Sequence, residues 1–506
     1  MKKTLSVLLA VLLCLSALAP AVYALDSELD YPVIYIRGRG RELVDKDGNI
    51  VYDGEDHILD AVKDNADVII RELAKAVVTG NYDSYCDALY NIIAPGYQAY
   101  IPDDNGNDQQ GLTVLPNEYT KIESNYNVGD YAFVYDWRLD PFYSAEQLHD
   151  FIAYVKEMTG KDKVNILTRC YGSNILSAYI ASYDLDDVEH IIYYASAAKG
   201  VASCGALMAG KLELDPKVVD DFATGFFDNS DPSDELISAL VTALYYAKTL
   251  GFATSTVEAI YKKVKNDLMP RLMLDTIGRD PSYWAMVGDE YYEDAKKLVF
   301  GDETERFAGL IEKIDNYHYN VMNKLEDLLV DTVNKGVKCT IIGKYNVPLY
   351  PIFDASYLQA DDTVELSKQT FGATSADFGQ TLSSAYLSSV SQENMKYISS
   401  DKKVDASTCL FPDNTWFIRD CAHLVWPSDI HDFVMTLFHS KGEVKVGDIE
   451  EFPQFLEVDK NENVTPLGDK SKSDGRFNKE PFTNLFKLLK AFFEFVKEKI
   501  LSVFDR

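Results

Sequence analysis

Paired cysteines, a basic surplus and long apolar stretches are what this chain has least of. Seven cysteines are spread over 506 residues, and none stands in a Cys-x-x-Cys pair, which argues against a zinc centre. Their density is also too low for a disulfide scaffold. Cys14 lies near the amino terminus. Cys409 and Cys421, twelve apart, are placed to close one loop, while Cys86, Cys204 and Cys339 read as apolar filling. Lysine and arginine number 49 against 80 acids, a net charge of −31. Such a surface repels nucleic acid, which is excluded as a partner, and anionic lipid except where a local patch reverses the sign. Beyond residue 24 no run reaches the roughly 18 apolar residues of a membrane span. Histidine is scarce, seven in all, so one placed beside a strand end carries weight. There is no internal repeat, and no metal or organic cofactor is implied.

Apolar residues make up 47% and aromatics 12%, enough for a large core. Residues 1–24 have the form of a secretory leader: Lys2 and Lys3, an apolar run over 5–18, and the small-residue site Ala21-Val22-Tyr23-Ala24. Its removal would take two lysines and no acid, leaving about −33 on a secreted chain. Short apolar runs at 31–36, 131–135, 164–168, 190–194, 339–343 and 415–418 read as buried strands. Helical spacing lies between several of them, at 144–159, 171–184, 318–335 and 428–438. Alternation of this kind predicts an α/β fold with a mostly parallel central sheet flanked by helices.

The alternation is interrupted by a helical block. The expected organisation is a leader at 1–24, a first core segment at 25–204, a helical cap or lid inserted at 205–330, a second core segment at 331–454, a polar linker at 455–480 and an amphipathic helix at 481–506. An insertion after a strand's carboxyl end lies over the place where such sheets bind ligands; a second domain packed elsewhere is the alternative. The last segment repeats phenylalanine and leucine at helical spacing and carries five bases against three acids. That pattern suits a membrane surface, or a helix docked on its own domain or on a partner.

The chemistry gathers at Lys163-Val164-Asn165-Ile166-Leu167-Thr168-Arg169-Cys170-Tyr171-Gly172, a strand, a sharp turn and the start of a helix. This is the layout of a nucleophile elbow, in which a reactive side chain is lifted on the turn and the helix amides favour an anion there. Cys170 occupies the reactive position, and its thiol pKa should be lowered. Ser173 lies a turn too far along. Asp361, in Ala360-Asp361-Asp362-Thr363-Val364, is the candidate to orient a base, with Asp362 and Asp354 as competitors. His423, in a loop after the strand at 415–418, is the candidate base, since imidazole titrates near neutrality; His431 sits at a helix start instead. The backbone N–H groups of Tyr171 and Arg39 would receive the oxyanion. The order nucleophile, acid, base is that of α/β-hydrolases.

At these residues the chain resembles α/β-hydrolase lipases, especially the lecithin:cholesterol acyltransferase-like group. Pro32-Val33-Ile34-Tyr35-Ile36-Arg37-Gly38-Arg39-Gly40 is similar to that group's first strand and oxyanion loop, and Tyr135-Asp136-Trp137-Arg138 to its Y-D-W-R stretch. Asp280-Pro281-Ser282-Tyr283-Trp284 resembles its cap segment, which implies that Trp284 lies near the acyl site. Asp361-Asp362-Thr363-Val364 is similar to its acid motif, which implies that Asp361 is the triad acid. Two positions depart from the group: Cys170 stands where it has serine, and Thr168 where it usually has glycine. Arg37 and Arg39 replace bland residues and would pair with a substrate carboxylate or phosphate, or with the acidic surface.

The expectation is therefore a secreted α/β-hydrolase acting on an ester or lipid through Cys170, His423 and Asp361. Two rivals stand beside it: a non-catalytic lipid- or peptide-binding protein on a retired hydrolase fold, and a thiol amidase or peptidase.

Overall fold

Short runs of valine, isoleucine and aromatic residues fold into an eight-stranded sheet: β1 Val33–Ile36, β2 Tyr131–Phe133, β3 Val164–Cys170, β4 Val188–Ser196, β5 Lys338–Tyr345, β6 Thr415–Arg419, β7 Phe455–Val458 and β8 Val464–Pro466. The computed structural model describes residues 29–54, 61, 64–115, 131–211, 262–349, 355–459 and 463–468. The spatial order is β2-β1-β3-β4-β5-β6-β7-β8, and every pairing is parallel except the last, β7 with β8. Strands β1, β3, β4, β5 and β6 are almost wholly buried, as a sheet covered on both faces demands. Helices flank the sheet, and the architecture is a mixed α/β fold with a mostly parallel centre.

The leader at 1–24 and the segment at 481–506 lie outside the described residues, as does most of the helical block, 212–261. The described residues from Tyr31 onward form one compact unit by backbone packing. Residues 455–466, expected to open a linker, instead supply β7 and β8. Leu456 and Val458 turn inward while Phe455 and Glu457 are half-buried, so the alternation is that of a strand buried on one face. Among the described residues no helix is long and apolar enough to cross a membrane.

Two large apolar cores hold most of the buried residues of the described chain, beside smaller clusters such as that around Tyr345 and Phe417. One fills the sheet and the helices Pro141–Thr159, Gly172–Ser182 and Leu325–Asn334, with Phe133, Phe151, Ile166 and Tyr193 fully buried. The other joins the helical block to an earlier stretch: Cys86 and Ala94 of the helix Asp83–Tyr97 pack with Leu272, Trp284, Tyr292 and Phe307. The helical layer thus recruits residues from before β2 as well as the insertion. The helix Ala308–Asn320 belongs to both cores, with Leu310 and Ile314 in one and Tyr317 in the other. Cys409 and Cys421 form no disulfide; both are free and buried.

Candidate active site at the carboxyl ends of the strands

Cys170 ends β3 with φ of 53°, a left-handed backbone that a non-glycine residue adopts only under constraint. The constraint is visible on both sides. Behind it, the Ser173 hydroxyl donates to the Cys170 carbonyl at 2.6 Å and accepts from the Ala197 amide at 3.0 Å. Ser173 is fully buried, so it braces the turn and offers no nucleophile. In front, Gly172 lets the next helix touch β1. A Cβ there would lie 2.2 Å from the Ile36 carbonyl oxygen, closer than any side chain tolerates. Gly38 approaches from the loop after β1, where an added Cβ would sit 3.5 Å from the Cys170 sulfur.

His423 and Asp361 meet in the loops after β6 and β5. The His423 Nδ1 donates to Asp361 Oδ2 at 2.7 Å, and the His423 amide donates to the Asp361 carbonyl, also at 2.7 Å. Asp361 Oδ1 accepts from the amides of Val364 (2.8 Å) and Thr363 (3.2 Å). The carboxylate is fully buried yet well supplied with donors, as a buried charge must be. Asp362 meets the histidine's backbone: its Oδ2 accepts from the His423 amide at 3.4 Å and its Oδ1 from the Thr363 hydroxyl at 2.7 Å. Asp354 lies outside the described residues.

The three side chains form one electrostatic unit. Burial pushes the Cys170 thiol up, but the charge and hydrogen bond of His423, with the Tyr171 amide, bring it below the ordinary thiol value. Burial pulls His423 down, yet Asp361 and Cys170 outweigh it and push it up to about 10. Burial raises Asp361, and His423 together with Lys344 returns it below the usual carboxylate range. The coupling favours the thiolate and imidazolium forms of the pair. Nε2 of His423 faces the sulfur closely enough for this coupling but has no well-aligned hydrogen bond, a looseness common before substrate binds.

Two cations hold the histidine loop. Lys344, buried at the end of β5, gives its Nζ to the carbonyls of Ala422 (2.6 Å), His423 (2.7 Å) and Val425 (3.1 Å). Arg169 donates to the His423 carbonyl at 2.9 Å. Neither residue was singled out for this from the sequence; a lone lysine ending an apolar strand was the available signal. The stretch Tyr135-Asp136-Trp137-Arg138 has a similar task on the other side. Tyr135 Oη donates to the Arg37 carbonyl at 2.7 Å and Trp137 Nε1 to the Arg41 carbonyl at 2.9 Å, fixing the loop after β1. Arg138, fully buried, ties that stretch to Asp136 and to Asp108.

Two expected substrate contacts are used internally. Arg39 forms an ion pair with Asp280 at 3.1 Å and lies 3.8 Å from the Tyr283 ring centre, joining the loop after β1 to the helical layer. Burial pushes the Asp280 carboxyl up to about 7 in spite of Arg39. Trp284 is buried in the helical core, stacked on Phe300 with its indole N–H given to the Gly278 carbonyl at 2.9 Å. It is a packing residue. Arg37 remains exposed. A polar cavity of about 730 Å³ lies elsewhere, lined by Asn105, Asp140, Lys313 and Tyr319, and none of the triad candidates borders it. Among the described residues no group of three or more His, Cys, Asp or Glu converges to hold a metal ion.

No family model matches the chain, and no curated protein does. Among solved structures, "The crystal structure of Tle4-Tli4 complex" is similar over 62% of this chain and 75% of that one, at 13% identity and a TM-score of 0.25. A likeness that slight carries no inference about activity.

Proposed function

We propose that the protein is an acyl hydrolase or acyltransferase of α/β-hydrolase type, with Cys170 as nucleophile, His423 as acid and base, and Asp361 as the group that orients it. The observation that carries this reading is the 2.7 Å contact of His423 Nδ1 with Asp361, which leaves Nε2 turned toward a thiol on a left-handed strand end. The Cys170 thiolate attacks the ester carbonyl carbon, and the C=O electron pair moves onto oxygen. The amides of Tyr171 and Arg39 receive that oxyanion. Collapse breaks the ester C–O bond as His423 Nε2 protonates the leaving alkoxide, giving a thioester and an alcohol. The now neutral His423 takes a proton from water or a second alcohol, which attacks the thioester and releases the acid or a new ester. An ester suits this thiol because its carbonyl is more electrophilic than an amide's and an alkoxide leaves more readily than an amide anion. On the same reading the leader at 1–24 exports the chain, and the segment at 481–506 meets a membrane surface.

The test is turnover of p-nitrophenyl acetate and the matched anilide by the full chain. A burst of one nitrophenol per protein, with Cys170→Ala reducing turnover at least about a thousandfold, is expected. Faster cleavage of the anilide would replace the esterase reading with an amidase. Unchanged turnover in Cys170→Ala would end it.

A further inference from the structure

We propose that Arg37, Arg41 and Arg169 form a binding site for an anionic group, a carboxylate or a phosphate monoester, carried by the substrate close to its scissile carbonyl. This rests on the acyl-transfer reading for the identity of the bound molecule, but the site is argued from its own observations. In a chain of 80 acids the cations near the sheet are mostly paired: Arg39 with Asp280, Arg138 with Asp136 and Asp108, Lys163 and Lys338 with Glu189. Arg37, Arg41 and Arg169 have no carboxylate partner among the described residues.

They are nevertheless brought together. The parallel register sets Ile36 beside Thr168, so Arg37 and Arg169 leave adjacent strand ends on the same face as Tyr35 and Leu167. Tyr35, itself buried, feels the charges of Arg169, Arg37 and Arg41 together. Arg41 is held below the ordinary guanidinium value by burial first and then by the charge of Arg37. Three cations within electrostatic reach of one another, with no carboxylate partner among the described residues of an acidic protein, leave a local positive field that a bound anion would relieve. Arginine forks match the planar oxygens of carboxylate and phosphate, and Arg37 is exposed while Arg41 and Arg169 are half-buried, so an entering group can reach them.

The cluster also stands beside the chemistry. Gly38, between Arg37 and Arg39, abuts the Cys170 sulfur, and Arg169 directly precedes Cys170. Its other contact, to the His423 carbonyl, holds one end of the guanidinium at the site. Arg39 differs from its neighbours because its charge is spent on Asp280.

The experiment has two arms. The first measures binding without turnover: calorimetric titration of the Cys170→Ala full chain with succinate and, separately, with methyl phosphate. Saturable binding of one or both is expected, weakened at least about tenfold in Cys170→Ala/Arg37→Gln and Cys170→Ala/Arg41→Gln. The relative strengths of succinate and methyl phosphate say which anion the site prefers. The second compares mono-p-nitrophenyl succinate with p-nitrophenyl butyrate. The anionic-to-neutral ratio of kcat/KM should exceed one in the wild type and fall at least about tenfold in Arg37→Gln, through KM, with partial rescue in Arg37→Lys. No binding of either anion, or a ratio that Arg37→Gln leaves in place, overturns the inference. If anions bind but neither ester is cleaved, the acyl-transfer reading fails while the anion site stands.

Discussion

The charge state of a single sulfur governs what Cys170 can do. Its thiol is held below the ordinary value by an imidazolium that is itself raised to about 10. The reactive form is therefore more populated at a given pH than in a free thiol, and is lost on acidification through the lowered thiol value. Alkylation by iodoacetamide, followed against pH, should have its midpoint below that of a free thiol. In His423→Ala the burial remains and the cation is gone, so the midpoint should move above the ordinary value and the rate at pH 7 drop by about tenfold or more. Identical profiles in the two proteins would deny the ion pair. At this scale much could be read in advance. Cys170 ends an apolar strand and His423 follows one closely, and a residue just past a buried strand has few places to go; Asp361, sixteen residues beyond β5, was legible through its motif instead. The uses of Arg39 and Trp284 could not be read, because Asp280 is 241 positions from Arg39 and the indole's ring partners, Tyr292 and Phe300, lie on the next helix.

Elements hold these atoms in place by close backbone approach and by buried cations. Gly172→Ala puts a methyl group against the Ile36 and Arg37 carbonyl oxygens, 2.2 and 2.9 Å from them. The helix must lift off β1, and denaturant unfolding should show a loss of about 1–3 kcal/mol. Equal stability would mean that the helix shifts freely. Lys344→Met keeps the volume of the side chain but removes three hydrogen bonds from the loop bearing His423. Ester turnover should fall about ten- to a hundredfold, and the alkylation midpoint of Cys170 should rise, because the imidazolium is no longer held against the sulfur. A stability loss with an unmoved midpoint would assign Lys344 to folding alone. The strands β1 to β6 and a mostly parallel sheet followed from alternating runs of apolar residues, but their spatial order did not. The edge pair β7–β8 did not, since its strands are short and sit in a polar sequence. Nor did the packing of residues 83–97 with the helical block, which depends on contacts across about two hundred residues of chain.

Over the whole molecule the net charge of −31 sets the background against which every local pair acts. Raising salt from about 10 mM to about 150 mM shortens the screening length from about 30 Å to about 8 Å. Self-repulsion among distant acids is damped more than contact pairs such as Lys163–Glu189, so the thermal midpoint should rise with salt. A fall would show that surface pairs dominate. The same acidic background makes three arginines beside Cys170, without a carboxylate partner among the described residues, an exception, and a composition summed over the chain cannot reveal them.

The terminal strand β8 is three residues long and ends in Pro466, which has no N–H to give. Of the described strands, the one at the opposite margin, β2, is equally brief. A sheet bounded in this way offers little template to a stray polypeptide, so the molecule carries its own guard against growing into fibrils through its margins.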